Sequence, residues 1–305
     1  MGIQTLKKPW LWLCLLFAFL WRIPLLQGGI WRDEGLVLFI QRLPPSAMLS
    51  FLKLHESHPP LFYLIMRPWT LLFGEGAGLV LPFLFGLLLV VFVYRIGKTV
   101  FSEDTGIFAA ALVAFSPSLV NYSTELRPYS LLSILCLLST SFLWLALREG
   151  KSKDWGLYSA TTLGMLFLHN WAWLVFAGQG LMFGLSFSKR PLSSLLRQWG
   201  ASQGLVLLLY SPWFSALFFQ FRHAGYPPRP LGFLFALDLL AEATFSLPLL
   251  MVVLLLAAFF LLLREEEIGE RLPYLLFLGI PLVVFALAFG LSSGRGMINN
   301  ALFSV

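Results

Sequence analysis

The 305-residue chain is 58% hydrophobic and 12% charged, with a mean hydropathy of +0.82. Soluble domains carry about 25% charged residues, so the composition excludes an ordinary soluble enzyme and predicts an all-α polytopic membrane protein. The net charge of +6 does not point to nucleic acid, because the basic residues sit in short loops between apolar runs, as membrane topology requires.

The first span is expected at about Trp10–Leu26, after Lys7-Lys8. No small-residue cleavage site follows, only Arg22-Ile23-Pro24, so this span is uncleaved and the N-terminus cytoplasmic. Cys14, here, and Cys136, further on, lie inside apolar runs and offer neither a disulfide framework nor metal-ligand spacing. A mixed loop over 27–78 comes next and opens on Trp31-Arg32-Asp33-Glu34. The chain has fifteen acidic residues, and an adjacent pair at a membrane rim is a functional candidate, with a merely wet loop as the alternative.

Pro59–Phe73 is apolar but carries Arg67 in its middle. Fifteen helical residues reach about 22 Å, short of a roughly 30 Å hydrocarbon core. If this segment spanned, nearly every later basic cluster would fall outside. If it lies flat, Arg95/Lys98, Arg148/Lys151/Lys153, Lys189/Arg190/Arg197 and Arg264/Arg271 join Lys7/Lys8 on the cytoplasmic side. The positive-inside rule selects an interfacial helix on the outer face.

Further spans are expected at about Leu79–Gly97, Gly106–Leu119, Tyr129–Leu147, Trp155–Leu168, Trp171–Phe187, Ala201–Phe219, Phe245–Leu263 and Leu272–Leu291. One tilted helix over Trp155–Phe187 would move three basic residues outside, so a hairpin turning at His169-Asn170 is preferred. Pro230–Thr244 reads as a second interfacial helix, and Arg264-Glu265-Glu266-Glu267 as a solvated turn. The total is about nine spans and an outer C-terminal tail.

In this topology the polar oddities share the outer face: Asp33, Glu34, His55, His58, Glu125, Arg127, Tyr129, His169, Arg222 and His223. His58-Pro59-Pro60 starts the flat helix, either as a chance histidine or as one facing Asp33. Glu125 and Arg127 can form a local salt bridge, but a guanidinium on the side where basic residues are scarce suits a phosphate. His169 is a helix-end histidine with a structural or a functional reading. Arg222-His223 opens the Tyr226-Pro227-Pro228-Arg229-Pro230 loop, a lid or an interfacial anchor. Acids, an arginine and histidines at one membrane–water boundary fit an enzyme acting on an anionic lipid. No Walker loop, dinucleotide fingerprint, serine elbow or zinc signature occurs. The donor must therefore arrive already activated, and a lipid phosphate is the natural form.

The order of motifs carries a family resemblance. An acidic pair after span one is followed by His58-Pro59-Pro60-Leu61-Phe62-Tyr63, by Ser123-Thr124-Glu125-Leu126-Arg127-Pro128-Tyr129-Ser130, and by His169. Over roughly Trp10–Arg229 the chain resembles the bacterial and archaeal branch of the dolichyl-phosphate-mannose–protein mannosyltransferase superfamily. The resemblance implies a single GT-C-like domain over 1–305, with the catalytic acid and two juxtamembrane helices in the first outer loop. It implies that Asp33 is the catalytic aspartate and Glu34 the acid that accompanies it. His58, Glu125, Arg127, Tyr129 and His169 match recurrent active-face positions. It implies a polyprenyl-phosphate-linked sugar donor and transfer with inversion to a protein, lipid or glycan acceptor, at the outer face of the plasma membrane. Relatives usually continue for several more spans beyond a point such as Val305. The chain therefore reads as a minimal member or as one lacking a C-terminal region.

The expected chemistry is base catalysis by Asp33, with Glu34 beside it, and stabilisation of the leaving phosphate by Arg127, His58 and Tyr129. His55, Glu125, His169 and Arg222 complete the active face. Asp33, Glu34 and His58 are the candidates for a divalent metal ion, which no spacing rule enforces. Two rivals stay open: a transporter or flippase, and an inactive truncated remnant. Transporters place ionisable groups near the midplane and show inverted repeats, and neither is visible here.

Overall fold

Pro9 opens the first helix, α1 (Pro9–Arg22), and a short 3-10 turn over Ile23–Gln27 ends it. A computed structural model describes residues 9–56, 58–185 and 191–223, which are helical with no strand among them. The loop expected after the first span holds three helices, where two juxtamembrane helices were implied: α2 (Arg32–Arg42), α3 (Pro45–His55) and α4 (Leu61–Phe73). Proline starts α3, and Pro59-Pro60 precedes α4, because a helix's first turn needs no N–H from those positions. The 13 residues of α4 reach about 20 Å. Arg67 turns inward to the carbonyls of Gln41 and Leu43, while Leu71, Leu72 and Phe73 stay exposed.

Next come α5 (Val80–Val100), α6 (Glu103–Phe115), α7 (Pro117–Ser123) and α8 (Tyr129–Glu149). Ser102 caps α6 by accepting from the Thr105 N–H at 3.1 Å. Ser116 caps α7 in the same way. The expected single span over Gly106–Leu119 is instead a pair bent by 64° at Ser116-Pro117. A proline pushes the residue before it out of the helical region, and Ser116 has ψ 115°. Gly150 ends α8 with φ +70°, where glycine is favoured. The remaining helices are α9 (Ser152–Leu168), α10 (Ala172–Leu185), α11 (Leu192–Tyr210) and α12 (Phe214–His223). The helix breaks at His169–Trp171, as the preferred hairpin requires.

The bundle has two distinct ends. At one, Glu34 accepts from the Leu126 N–H at 2.8 Å, and a Cβ on Gly78 would lie 3.3 Å from Leu126 Cδ1. The rings of His169 and Tyr129 meet there at 5.8 Å, and Gln220 on α12 donates to the Leu52 carbonyl at 2.9 Å. So the exit of α1, the entry of α5 and the joints α3–α4, α7–α8 and α9–α10 converge. At the other end, Gln198 on α11 donates to the Gly150 carbonyl, and Val100 packs with Leu147 and Trp155. Lys98, Arg148, Lys151 and Lys153 belong to that end.

Four helices among the described residues are long and apolar enough to cross a membrane, and five if the bent pair counts as one. About nine spans were expected. The 17 residues of α9 and 14 of α10 are short for a crossing, although they connect the two ends. Phe245–Leu263, Leu272–Leu291 and Pro230–Thr244 lie outside the described residues. The largest buried cluster among the described residues lies beneath the convergent end, and it includes Phe62, Tyr63, Met66, Leu126, Met165, Leu168 and Tyr210.

Candidate active site

Asp33 and Glu34 occupy the first turn of α2, where the helix dipole favours anions. Their surroundings differ. Glu34 is buried, and its two oxygens accept from the N–H groups of Leu126 and Trp31 at 2.8 and 3.2 Å. The Glu34 carboxylate therefore ties α2 to the α7–α8 turn. Asp33 is 41% exposed. Its Oδ2 lies 3.8 Å from Nη2 of Arg127, whose side chain is 8% exposed. That separation is too long for a hydrogen bond, so both groups keep capacity for another partner. Arg127 Nε is buried without a hydrogen-bond partner among the described residues.

Tyr129 is the hub. Its ring lies 5.8 Å from the Arg127 guanidinium carbon, 6.3 Å from the His58 ring and 5.8 Å from the His169 ring. His58 and His169 meet edge to face at 4.6 Å. The Trp171 N–H donates to His169 Nδ1 at 3.1 Å, which leaves the ring hydrogen on Nε2. Burial first, then the charges of His58 and Arg127, hold the His169 pKa down at about 3. The ring is therefore a neutral donor at physiological pH. Burial, and then the Glu34 charge, raise the Glu125 carboxyl above its ordinary range, against the pull of Arg127. Arg127 thus faces Asp33 as well as its sequence neighbour Glu125.

Two expected residues stand apart. His55 is exposed and rests on the Phe51 ring at 5.0 Å. Arg222 is exposed on the last turn of α12, with no hydrogen bond or ion pair to the cluster among the described residues. The structure adds Glu56, whose Oε1 is 2.7 Å from His58 Nδ1, and Tyr63, which is 1% exposed. Burial, and then the Glu56 charge, push the Tyr63 hydroxyl pKa well up. The acid–x–histidine spacing of Glu56 and His58 was the available signal for that pair.

The acids and His58 do not converge as a metal triad. Both Glu34 oxygens are engaged by backbone, His58 Nδ1 by Glu56, and among the described residues no three His, Cys, Asp or Glu side chains are placed to hold one ion.

The profile of the dolichyl-phosphate-mannose-protein mannosyltransferase family matches residues 57–215, just over half of the chain. The chain belongs to this family. It is a membrane glycosyltransferase of the GT-C type, mannosyltransferase-like, in a family that uses polyprenyl-phosphate-linked sugar donors and acceptors. No curated protein and no solved structure matches it. The mannosyltransferase match takes in His58, Glu125, Arg127, Tyr129 and His169. Asp33 and Glu34 precede it and are joined to it by the Arg127 and Leu126 contacts.

Proposed function

We propose that the chain is one GT-C domain that moves a sugar from a polyprenyl-phosphate donor to a hydroxyl of a protein, lipid or glycan, with inversion, at the outer face of the membrane. The observation that carries this reading is the half-exposed Asp33 carboxylate set 3.8 Å from the buried Arg127 guanidinium. The two need opposite things from a substrate. Asp33 takes the proton of the acceptor hydroxyl as its oxygen bonds to the anomeric carbon. The bond from that carbon to the phosphate oxygen breaks on the opposite side. The lipid phosphate leaves with one more negative charge, which Arg127 meets, with His58 and the neutral His169 beside it. Positioned bases contribute about 10²–10⁴-fold, and donors aimed at developing charge about 10²–10³-fold.

Glu34 supports this arrangement from below. Its bonds to Trp31 and Leu126 hold Asp33 and Arg127 on facing segments. Transfer from radiolabelled polyprenyl-phosphate sugars by purified protein in detergent tests the reading. Asp33→Asn should lose at least about a hundredfold in turnover. Normal turnover by that variant would remove Asp33 from the mechanism. Comparing rates with and without chelator decides whether a divalent ion takes part.

A further inference from the structure

The chemistry above makes no use of Glu56, the residue that follows α3. Its side chain is 7% exposed and that of His58 4%, and the carboxylate contacts Nδ1 at 2.7 Å. The other ring nitrogen, Nε2, is buried with no hydrogen-bond partner among the described residues. A buried polar nitrogen left without a partner is costly, and such groups persist where a ligand completes them. Arg127 Nε is in the same condition. His58 and Arg127 both border the one Tyr129 ring, at 6.3 and 5.8 Å, so the two side chains with unmet nitrogens are neighbours of a single group.

The backbone that carries Glu56 is itself clasped. Gln220 Nε2 donates to the carbonyls of Glu56 and Leu52 at 2.7 and 2.9 Å, and its Oε1 accepts from Asn170 Nδ2 at 2.9 Å. One side chain on α12 thus joins the Glu56–His58 segment to the turn that carries His169.

An ionised phosphate oxygen only accepts, so from a histidine it needs a ring N–H. With Nδ1 already bonded to Glu56, His58 meets a phosphate through Nε2–H, as an imidazolium, and that cation needs a counter-charge in a buried site. We infer that Glu56 is a positioning residue for the lipid-linked donor: it orients the His58 ring by Nδ1 and balances its charge while Nε2–H holds the phosphate. This rests on the reading of His58 as a phosphate ligand given above. This further carboxylate also explains how a cluster already holding Arg127 accommodates another cation.

The test is a double-mutant cycle on binding of polyprenyl phosphate, the leaving product, to purified full-length protein. Glu56→Gln keeps the size and one hydrogen bond but removes the charge, and gel filtration reports whether the fold is retained. Both Glu56→Gln and His58→Gln should weaken binding by about tenfold, the worth of a charge-assisted hydrogen bond. The double variant should bind no more weakly than His58→Gln alone. Wild-type affinity in Glu56→Gln, or an equal further loss when it is added to His58→Gln, overturns the role, because a prop for the fold acts whether or not His58 is present. Asp33→Asn is the control: it should bind the lipid phosphate while failing to transfer sugar. Binding by wild type and Asp33→Asn with an additive cycle sinks Glu56 and leaves the transferase reading standing. No binding by wild type sinks both.

Discussion

His169 is the residue whose environment has the clearest consequence for stability. Its folded pKa is held at about 3, below the ordinary value of 6.5, chiefly by burial. Between those values the unfolded chain binds a proton that the folded chain refuses. Stability therefore falls as the pH drops below about 6.5, and this loss is complete near pH 3. Glu125 acts in the opposite sense, because its raised carboxyl pKa makes the folded chain the better proton acceptor. The difference between wild type and His169→Asn isolates the histidine. The asparagine amide oxygen can still accept from the Trp171 N–H. Thermal midpoints in detergent should fall from pH 7.5 to 5 for wild type and fall less for His169→Asn. Parallel slopes would mean that His169 does not titrate out of reach as described. At this scale the sequence was informative about residue types and poor about pairing. Asp33, His58, Arg127, Tyr129 and His169 stood out because polar groups are rare in this chain. That Glu34 would be spent on backbone N–H groups while its neighbour stayed half exposed depends on a chain segment 92 residues away. Periodicity contains no information about that contact.

The bent pair α6–α7 shows the same limit for elements. The apolar run Gly106–Leu119 reads as one short span, and Ser116-Pro117 breaks it. Arg22, at the end of α1, stabilises the bend. It is fully buried, and its Nε donates to Ser123 Oγ at 2.7 Å. Its Nη1 donates to the carbonyls of Ala18 and Ala114 at 3.0 and 3.2 Å. One guanidinium therefore grips both sides of the bend, from the last turn of α6 to the last residue of α7. Gly86 on α5 makes room for it. A Cβ there would collide with the Ser123 side chain and lie 3.4 Å from Arg22 Nε. The Glu125–Arg127 turn starts two residues after Ser123, so this grip sets where the site's arginine can reach. Arg22→Ala strips partners from a buried hydroxyl and a carbonyl, and should cost about 2–4 kcal/mol. Gly86→Ala should also destabilise, by overpacking, by about 1–3 kcal/mol. Melting in detergent measures both, and a wild-type midpoint for Arg22→Ala would show that the bend holds without it. Of the loop helices, α4 was legible because its run is apolar on both sides of Arg67. The mixed composition of α2 and α3 hid them, since each buries only one face: Val37, Leu38 and Ile40 on α2, Met48 and Leu52 on α3.

For the whole molecule, counting basic residues divides the loops as the fold divides them. Placing Pro59–Phe73 flat put Arg95/Lys98 and Arg148/Lys151/Lys153 on one side and the acids and histidines on the other. The packing reaches the same division independently. Arg42, the last residue of α2, forms a two-pronged ion pair with Glu75, after α4, so the chain enters the α3–α4 pair and leaves it at neighbouring points. A spanning α4 would separate those points by the thickness of a bilayer. The expectation that the convergent end faces outward follows from the positive-inside rule alone, and single cysteines in a background lacking Cys14 and Cys136 decide it. Trp31→Cys and Glu75→Cys replace exposed residues at either side of the loop, and Lys153→Cys an exposed residue at the basic end. In sealed right-side-out vesicles an impermeant maleimide should label Trp31→Cys and Glu75→Cys at once, and Lys153→Cys only after permeabilisation. The inverse pattern would reverse the orientation while leaving the fold intact. Labelling of Trp31→Cys and Glu75→Cys from opposite sides would instead make α4 a crossing helix. It would also carry Arg95 and Lys98 to the same side as Asp33, which the contacts of Leu126 with both Glu34 and Gly78 forbid.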